Sequence, residues 1–204
     1  MTTRRERPSG GSIRDMPLPP LRTDRLRLDP LGPEHLEHLV ELDSDPEVLR
    51  YLFARPRTRA EVEESMVRRT NPAHRERGMG YWVGFAGEEF IGWWALLPVA
   101  KPEEGDPDDG VLGYRLMRRA WRRGFASEGA REILRYGFAD LGLPRVTAET
   151  MAVNAGSRAV MRSVGMTHWR SYLLDFDEPL PGAEEGEVLY AISRSEWQRH
   201  VGGV

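Results

Sequence analysis

Between Val111 and Met151 the chain changes its hydrophobic period twice. Val111 to Met117 reads as a strand. Phe125 to Leu141 then puts Ala126, Ala130, Ile133, Leu134, Phe138 and Leu141 on one helical face, with Gly142 as its stop. Arg145 to Met151 returns to a strand pattern. A helix with a single apolar stripe must bury it, and the flanking strands offer a sheet to bury it on.

The rest of the chain extends this pattern on both sides. Arg25 to Leu31 alternates polar and apolar residues, as a half-buried strand does. Pro33 stands at a helix start, and Leu36, Leu39, Val40 and Leu42 follow at helical spacing. A short helix is predicted over Pro46 to Tyr51, and another from Thr58 to about Thr70, with Thr58 and Glu61 as a capping box. Tyr81 to Ala86 and Glu89 to Leu97 form a hairpin across Gly87-Glu88. Pro98 to Asp109 is an acidic, Pro/Gly-rich loop. Ala155 to Val164 reads as a short helix, and Thr167 to Phe176 and Glu187 to Ser193 as a closing antiparallel pair. The order predicts one mixed α/β sheet with helices on both faces, over residues 21–204. Met1 to Pro20, rich in Arg, Pro, Ser and Gly, reads as a disordered tail.

Composition narrows the function classes. A chain of 204 residues suits one core rather than two. Cysteine is absent, which removes disulfides, thiolate metal sites and a thiol nucleophile. Without disulfides or a secretory signal, the cytosol is the expected compartment. A net charge of −3 gives no reason for a nucleic-acid partner, and no apolar run is long enough for a membrane span. The five histidines show no metal-ligand spacing, so no metal is expected. Lys101 is the only lysine; the bias toward arginine fits a GC-rich genome, but it also favours forked phosphate contacts.

Two stretches carry chemistry. In Y-R-L-M-R-R-A-W-R-R-G-F-A-S-E-G-A, Tyr114 to Ala130, a strand passes through an Arg- and Gly-bearing turn into a long helix. The first amides of a helix lack intrahelical partners, and its dipole is positive there, so the turn can cradle a pyrophosphate. A surface turn with solvated arginines is the alternative. In N-A-G-S-R-A-V-M-R-S-V-G-M, Asn154 to Met166, Asn154 caps a helix or lines a cleft between two strands, or does both.

With L-R-T-D-R-L-R-L-D-P-L, G-Y-R-L and the closing V-L-Y-A-I-S-R-S-E-W, these stretches resemble the GNAT N-acetyltransferase superfamily, and within it the ribosomal-protein-alanine acetyltransferase (RimJ/RimL-like) type. The resemblance covers roughly Leu21 to Trp197. It implies a single GNAT-like domain with a mixed, mostly antiparallel sheet of six to seven strands and a splayed central strand pair. It implies acetyl-CoA as cofactor. The pantetheine would lie along Leu116, Met117 and Arg118, and the pyrophosphate on the amides of Arg123, Gly124, Phe125, Ala126 and Ser127. Asn154 and Ser157 would touch the pantetheine or the diphosphate. The acceptor would be a small-molecule amine or a protein N-terminus, and a homodimer is an expectation drawn from the family.

Two residues common in relatives are missing: Val111 stands where many carry a glutamate, and Met161 where many carry a tyrosine. Glu149 is the candidate base and Tyr114 the residue to hold a water or the acceptor, against the plainer readings of a solvent-facing and a core side chain. Trp82, Trp93 and Trp94 either line an acceptor pocket or pack the core. The loop Glu103 to Gly110 either attracts a cationic amine or is merely solvated. The competing function is a catalytically inactive acyl-CoA-binding regulatory module.

Overall fold

The computed structural model describes residues 18–101, 103–173 and 179–202. The expected tail lies outside the described residues up to position 17. Leu18 and Pro19 pack on the fold: Leu18 is buried, and the Pro19 carbonyl accepts the indole N–H of Trp82 at 2.8 Å.

The strands are β1 (Leu21–Arg22), β2 (Arg27–Pro30), β3 (Gly80–Ala86), β4 (Glu89–Pro98), β5 (Gly110–Leu116), β6 (Arg145–Met151), β7 (Thr167–Tyr172) and β8 (Glu187–Ser193). The helices are α1 (Leu36–Ser44), α2 (Pro46–Leu49), α3 (Arg59–Arg69), α4 (Pro72–Arg75), α5 (Phe125–Arg135), α6 (Ala155–Ser163) and α7 (Arg194–Gly202). One eight-stranded sheet runs β1-β2-β3-β4-β5-β6-β8-β7. Only β5 and β6 pair in parallel; every other neighbour is antiparallel. The strand expected over 167–176 leaves the described residues at 174. The eighth strand, beyond the six or seven expected, is β1, whose two residues are too few to show a period.

Strand alternation sorts side chains onto two faces. Trp94 points to α5, where its indole N–H bonds the Ala126 carbonyl at 3.1 Å. Trp93 and its β5 partner Arg115 point the other way, toward Asp43 of α1 and Arg69 of α3. Gly129 explains how closely α5 seats. A Cβ there would fall 2.3 Å from Trp94 Cε2, so only glycine allows the approach.

The capping box on α3 forms as read, with the Thr58 N–H donating to Glu61 Oε2 at 2.7 Å. The helix expected to continue to Leu141 is α-helical only to Arg135; Tyr136–Asp140 form a wider π-type turn. That turn holds Tyr136 edge-on to Trp82 at 5.6 Å, with its hydroxyl bonded to the Gly78 carbonyl. It also holds Phe138 against Trp197 of α7.

Candidate active site

β5 and β6 are each seven residues long, yet they pair only at Gly110 with Val146 and Val111 with Thr147. Beyond Val111 they diverge and open a gap. The Met117 N–H donates to the Ile91 carbonyl of β4 at 2.8 Å. By the two-residue alternation, the backbone groups of Leu116 and Tyr114 therefore face the gap. The Leu116 carbonyl accepts the Trp121 indole N–H at 2.9 Å. Met117 is buried, and Arg118 is an exposed side chain that pairs with Asp45 at 3.3 Å.

The turn after β5 contains two left-handed residues, Arg122 (φ 57°) and Gly124 (φ 83°). Gly124 is the N-cap of α5, and no side chain caps this end. The first helical bond runs from the Glu128 N–H to the Gly124 carbonyl, so the amides of Phe125, Ala126 and Ser127 precede the ladder. Arg25 braces the turn from β2's approach: its guanidinium bonds the Arg123 carbonyl at 3.1 Å and Glu128 Oε2 at 2.6 Å. Burial works against ionisation of Glu128, but hydrogen bonds from Thr23 and Arg25 outweigh it and hold its carboxyl below the usual range. The Ser127 hydroxyl meets Ser163 of α6 at 2.7 Å.

Across the gap, Asn154 caps α6. Its Oδ1 accepts from the Ser157 N–H at 3.1 Å, and its Nδ2 donates to Thr150 at 3.0 Å. Ser157 in turn ties α6 to β5: the Tyr114 hydroxyl donates to the Ser157 carbonyl at 3.0 Å and lies 2.9 Å from its Oγ. Burial pushes the Tyr114 phenol up to about 12, against the bond to Ser157.

Glu149 lies in the middle of β6. Thr147 pairs with Val111, so Glu149, two residues on, sits on the face of Trp93 and Arg115. Tyr114 sits on the opposite face with α6. The structure therefore does not bring Glu149 and Tyr114 together; it places them on either side of the gap. Glu149 accepts the hydroxyl of Tyr172, and Glu187 is its neighbour on the same face, one strand over. Burial, with the Glu149 charge added, raises the Glu187 carboxyl to about 7. Burial and the bond to Glu149 raise the Tyr172 phenol as well. Neither Tyr172 nor Glu187 was legible as a site residue, because only the β6-β8-β7 register brings them beside Glu149.

Val111 is half-buried on β5, and Met161 is buried in the core, so neither offers a proton. Trp82 and Trp94 are core residues with bonded indoles; Trp93 is buried with its indole N–H unpartnered among the described residues. The acidic loop is not merely solvated. Asp109 is 1% exposed and ties the loop to Arg145 at 3.2 Å. Among the described residues there is no metal-binding cluster of His, Asp and Glu, and no helix long and apolar enough to cross a membrane.

Known proteins share this architecture. Residues 25–167 match the family model described as an acetyltransferase (GNAT) domain. FsC-acetyl coenzyme A-N(2)-transacetylase of Aspergillus fumigatus is 46% identical over 185 residues, 89% of this chain and 79% of that protein. Among solved structures, spermidine N-acetyltransferase from Vibrio cholerae, in complex with CoA and spermine, aligns with a TM-score of 0.70 at 17% identity. The alignment covers 86% of this chain and 99% of that one. RimL, the ribosomal L7/L12 alpha-N-protein acetyltransferase in complex with coenzyme A, aligns with a TM-score of 0.70 at 17% identity, covering 86% and 98%. At such identities the likeness to these two is one of fold.

Proposed function

Because this chain belongs to the acetyltransferase (GNAT) domain family, we propose that its diverging strand pair and glycine turn hold acetyl-CoA for transfer to the amine of a small molecule. That it is an N-acetyltransferase using acetyl-CoA follows from the family and from the 46% identical transacetylase. The acceptor, the residue roles and the closer kinship with the ribosomal-protein-alanine type are our reading.

The observation that carries it is the gap itself, which opens beside helix amides left without a side-chain cap. A diphosphate fits there: it is anionic, and it needs backbone donors with no side chain in the way. The amides of Arg123, Gly124, Phe125, Ala126 and Ser127 would hold it. Leu116, Met117 and Arg118 would line the pantetheine on one side, Asn154 and Ser157 on the other. Acetyl-CoA supplies an activated acetyl thioester. Glu149 would take the proton from the attacking amine on its own face of the sheet. Tyr114, protonated at neutral pH, would donate toward the departing sulfur from the opposite face. In that geometry a C–N bond replaces a C–S bond, and each proton has a named acceptor or donor.

The relative's name gives its transfer an N(2) locant and mentions no protein, and on that we read the acceptor here as a small-molecule amine. The test is free-thiol release from acetyl-CoA against a panel of small amines and N-terminal peptides. Release that depends on a small amine is expected, and release with peptides alone would move the acceptor to protein N-termini. Glu149→Gln should lower kcat/KM by about 10²–10⁴-fold while leaving acetyl-CoA affinity intact. A full-rate mutant would remove Glu149 from the mechanism.

A further inference from the structure

On the α1–α3 face of the sheet lies a cavity of about 300 Å³, lined among others by Asp43, Phe53, Arg57, Arg69, His74 and Tyr81. Its wall carries more positive charge than it neutralises. Arg69 and Arg115 share the single carboxylate of Asp43, at 3.4 Å and 2.5 Å. These side chains are 11%, 9% and 3% exposed, so two buried guanidinium groups face one buried carboxylate. Glu61 does not restore the balance. It is held by Arg55 at 2.9 and 2.8 Å and by the Thr58 cap, and lies 3.6 Å from Arg57.

The donors point to a missing acceptor. Arg57 Nε, Arg69 Nη1, Arg115 Nε and Trp93 Nε1 are buried without a hydrogen-bond partner among the described residues. Aromatic rings pack beside these guanidinium groups. Arg69 lies over Trp93 at 5.4 Å, Arg115 over Trp93 at 5.3 Å and Arg57 over Phe53 at 4.6 Å. Arg69 Nη2 and Arg115 Nη1 bond Asp43 and Arg57 Nη2 bonds the Glu61 carbonyl, which leaves the unpartnered N–H groups just named for another acceptor. Unmet buried donors on charged groups are costly, and a carboxylate matches a guanidinium edge with both of its oxygens.

The cavity also lies on the right side of the sheet. Arg115 and Glu149 share one face, counted from the Val111–Thr147 pair. An acceptor whose amine meets Glu149 can extend its other end along that face toward Arg115 and the cavity.

We infer that the acceptor amine also bears a carboxylate, and that Arg57 and Arg69 seat that carboxylate in the cavity, with the Asp43–Arg115 pair holding Arg69 in position. This rests on the reading of the chain as an amine acetyltransferase.

The experiment compares acceptors of equal length with and without the acid: β-alanine, 4-aminobutyrate, 5-aminovalerate and 6-aminohexanoate against the corresponding n-alkylamines. Thiol release from acetyl-CoA gives KM and kcat for each. Hexanoate, which has no amine, is titrated by calorimetry into the enzyme with CoA present. The acid-bearing member of at least one pair should have a KM lower by about tenfold or more, and hexanoate should bind. Arg69→Met leaves Asp43 paired with Arg115, so no buried charge is orphaned. It should erase the advantage and the hexanoate heat while leaving the KM of the alkylamines and of acetyl-CoA unchanged. Arg57→Met, at a side chain that pairs with Glu61 and not with Asp43, should act in the same direction and guards against a folding defect in the first variant. No advantage for any acid and no hexanoate heat would overturn the proposal, leaving a cavity filled by water alone. Equal losses for acids and alkylamines in both variants would overturn it too, by making the arginines structural. If no amine is acetylated but hexanoate binds and Arg69→Met abolishes it, the anion site stands and the small-amine reading falls.

Discussion

Glu187 sits in an environment at odds with its charge. It is a carboxylic acid at 8% exposure, facing a second carboxylate, Glu149. Its folded value of about 7 lies above the unfolded one near 4.5, so the folded state prefers the neutral acid. The contribution to stability is fully present below the unfolded value and is lost as pH rises through about 7. Glu187→Gln stays neutral throughout. It should match the wild type at pH 4 and exceed it at pH 8, by up to about 3 kcal/mol in urea unfolding. Parallel curves for the two proteins between pH 4 and 8 would show that Glu187 is not held neutral by the fold. Asn154 makes a different kind of prediction, because its side chain is spent on the α6 cap. Asn154→Ala should cost about 1 kcal/mol of stability and weaken acetyl-CoA binding by calorimetry, since Ser157 and its bond to Tyr114 sit on that cap. Unchanged affinity in the folded mutant would place Asn154 outside the cofactor site.

At the scale of the element, α5 decides whether the helix amides reach the gap, and its seat is Gly129 on Trp94. Gly129→Ala raises helix propensity but drives a methyl into an indole that is fully buried. The clash should win, with a loss of about 1–3 kcal/mol in thermal or urea unfolding. A neutral or stabilised mutant would mean the helix can lift off its strand. This element also marks what sequence makes visible. The stripe from Ala126 to Leu134 announced the helix, and Gly124 announced its start, because period and backbone freedom are local properties. The π-type turn at Tyr136 was not legible, since the contact it serves, the bond from Tyr136 to Gly78, lies 58 residues away. The same limit governed the site. Asn154 and the glycine turn stand in contiguous motifs, whereas the Glu149–Tyr172–Glu187 group and the Asp43 arginines assemble only across strands and layers.

The whole molecule is a sheet almost cut in two. β1 to β5 form one antiparallel block, and β6, β8 and β7 another; two residue pairs of β5 and β6 join them. Beyond that seam, the described hydrogen bonds across the gap come from side chains: Tyr114 to Ser157, Ser127 to Ser163, and Arg131 to the Ser163 carbonyl at 3.3 Å. A ligand lying in the gap replaces missing ladder bonds and should make the blocks open and close together. Acetyl-CoA at about a hundred times its Kd should add about 2.7 kcal/mol, which is roughly 5–11 °C in Tm for a domain of this size. The more discriminating measurement is amide hydrogen exchange with and without acetyl-CoA. Slowing on both rims, at Leu112 to Leu116 and at Met151 to Ser157, is what a pantetheine between the strands requires. Slowing confined to the start of α5 would mean that only the diphosphate cradle is engaged. The gap would then have to be given to the acceptor, and Glu149 and Tyr114 would lose the thioester they are proposed to flank.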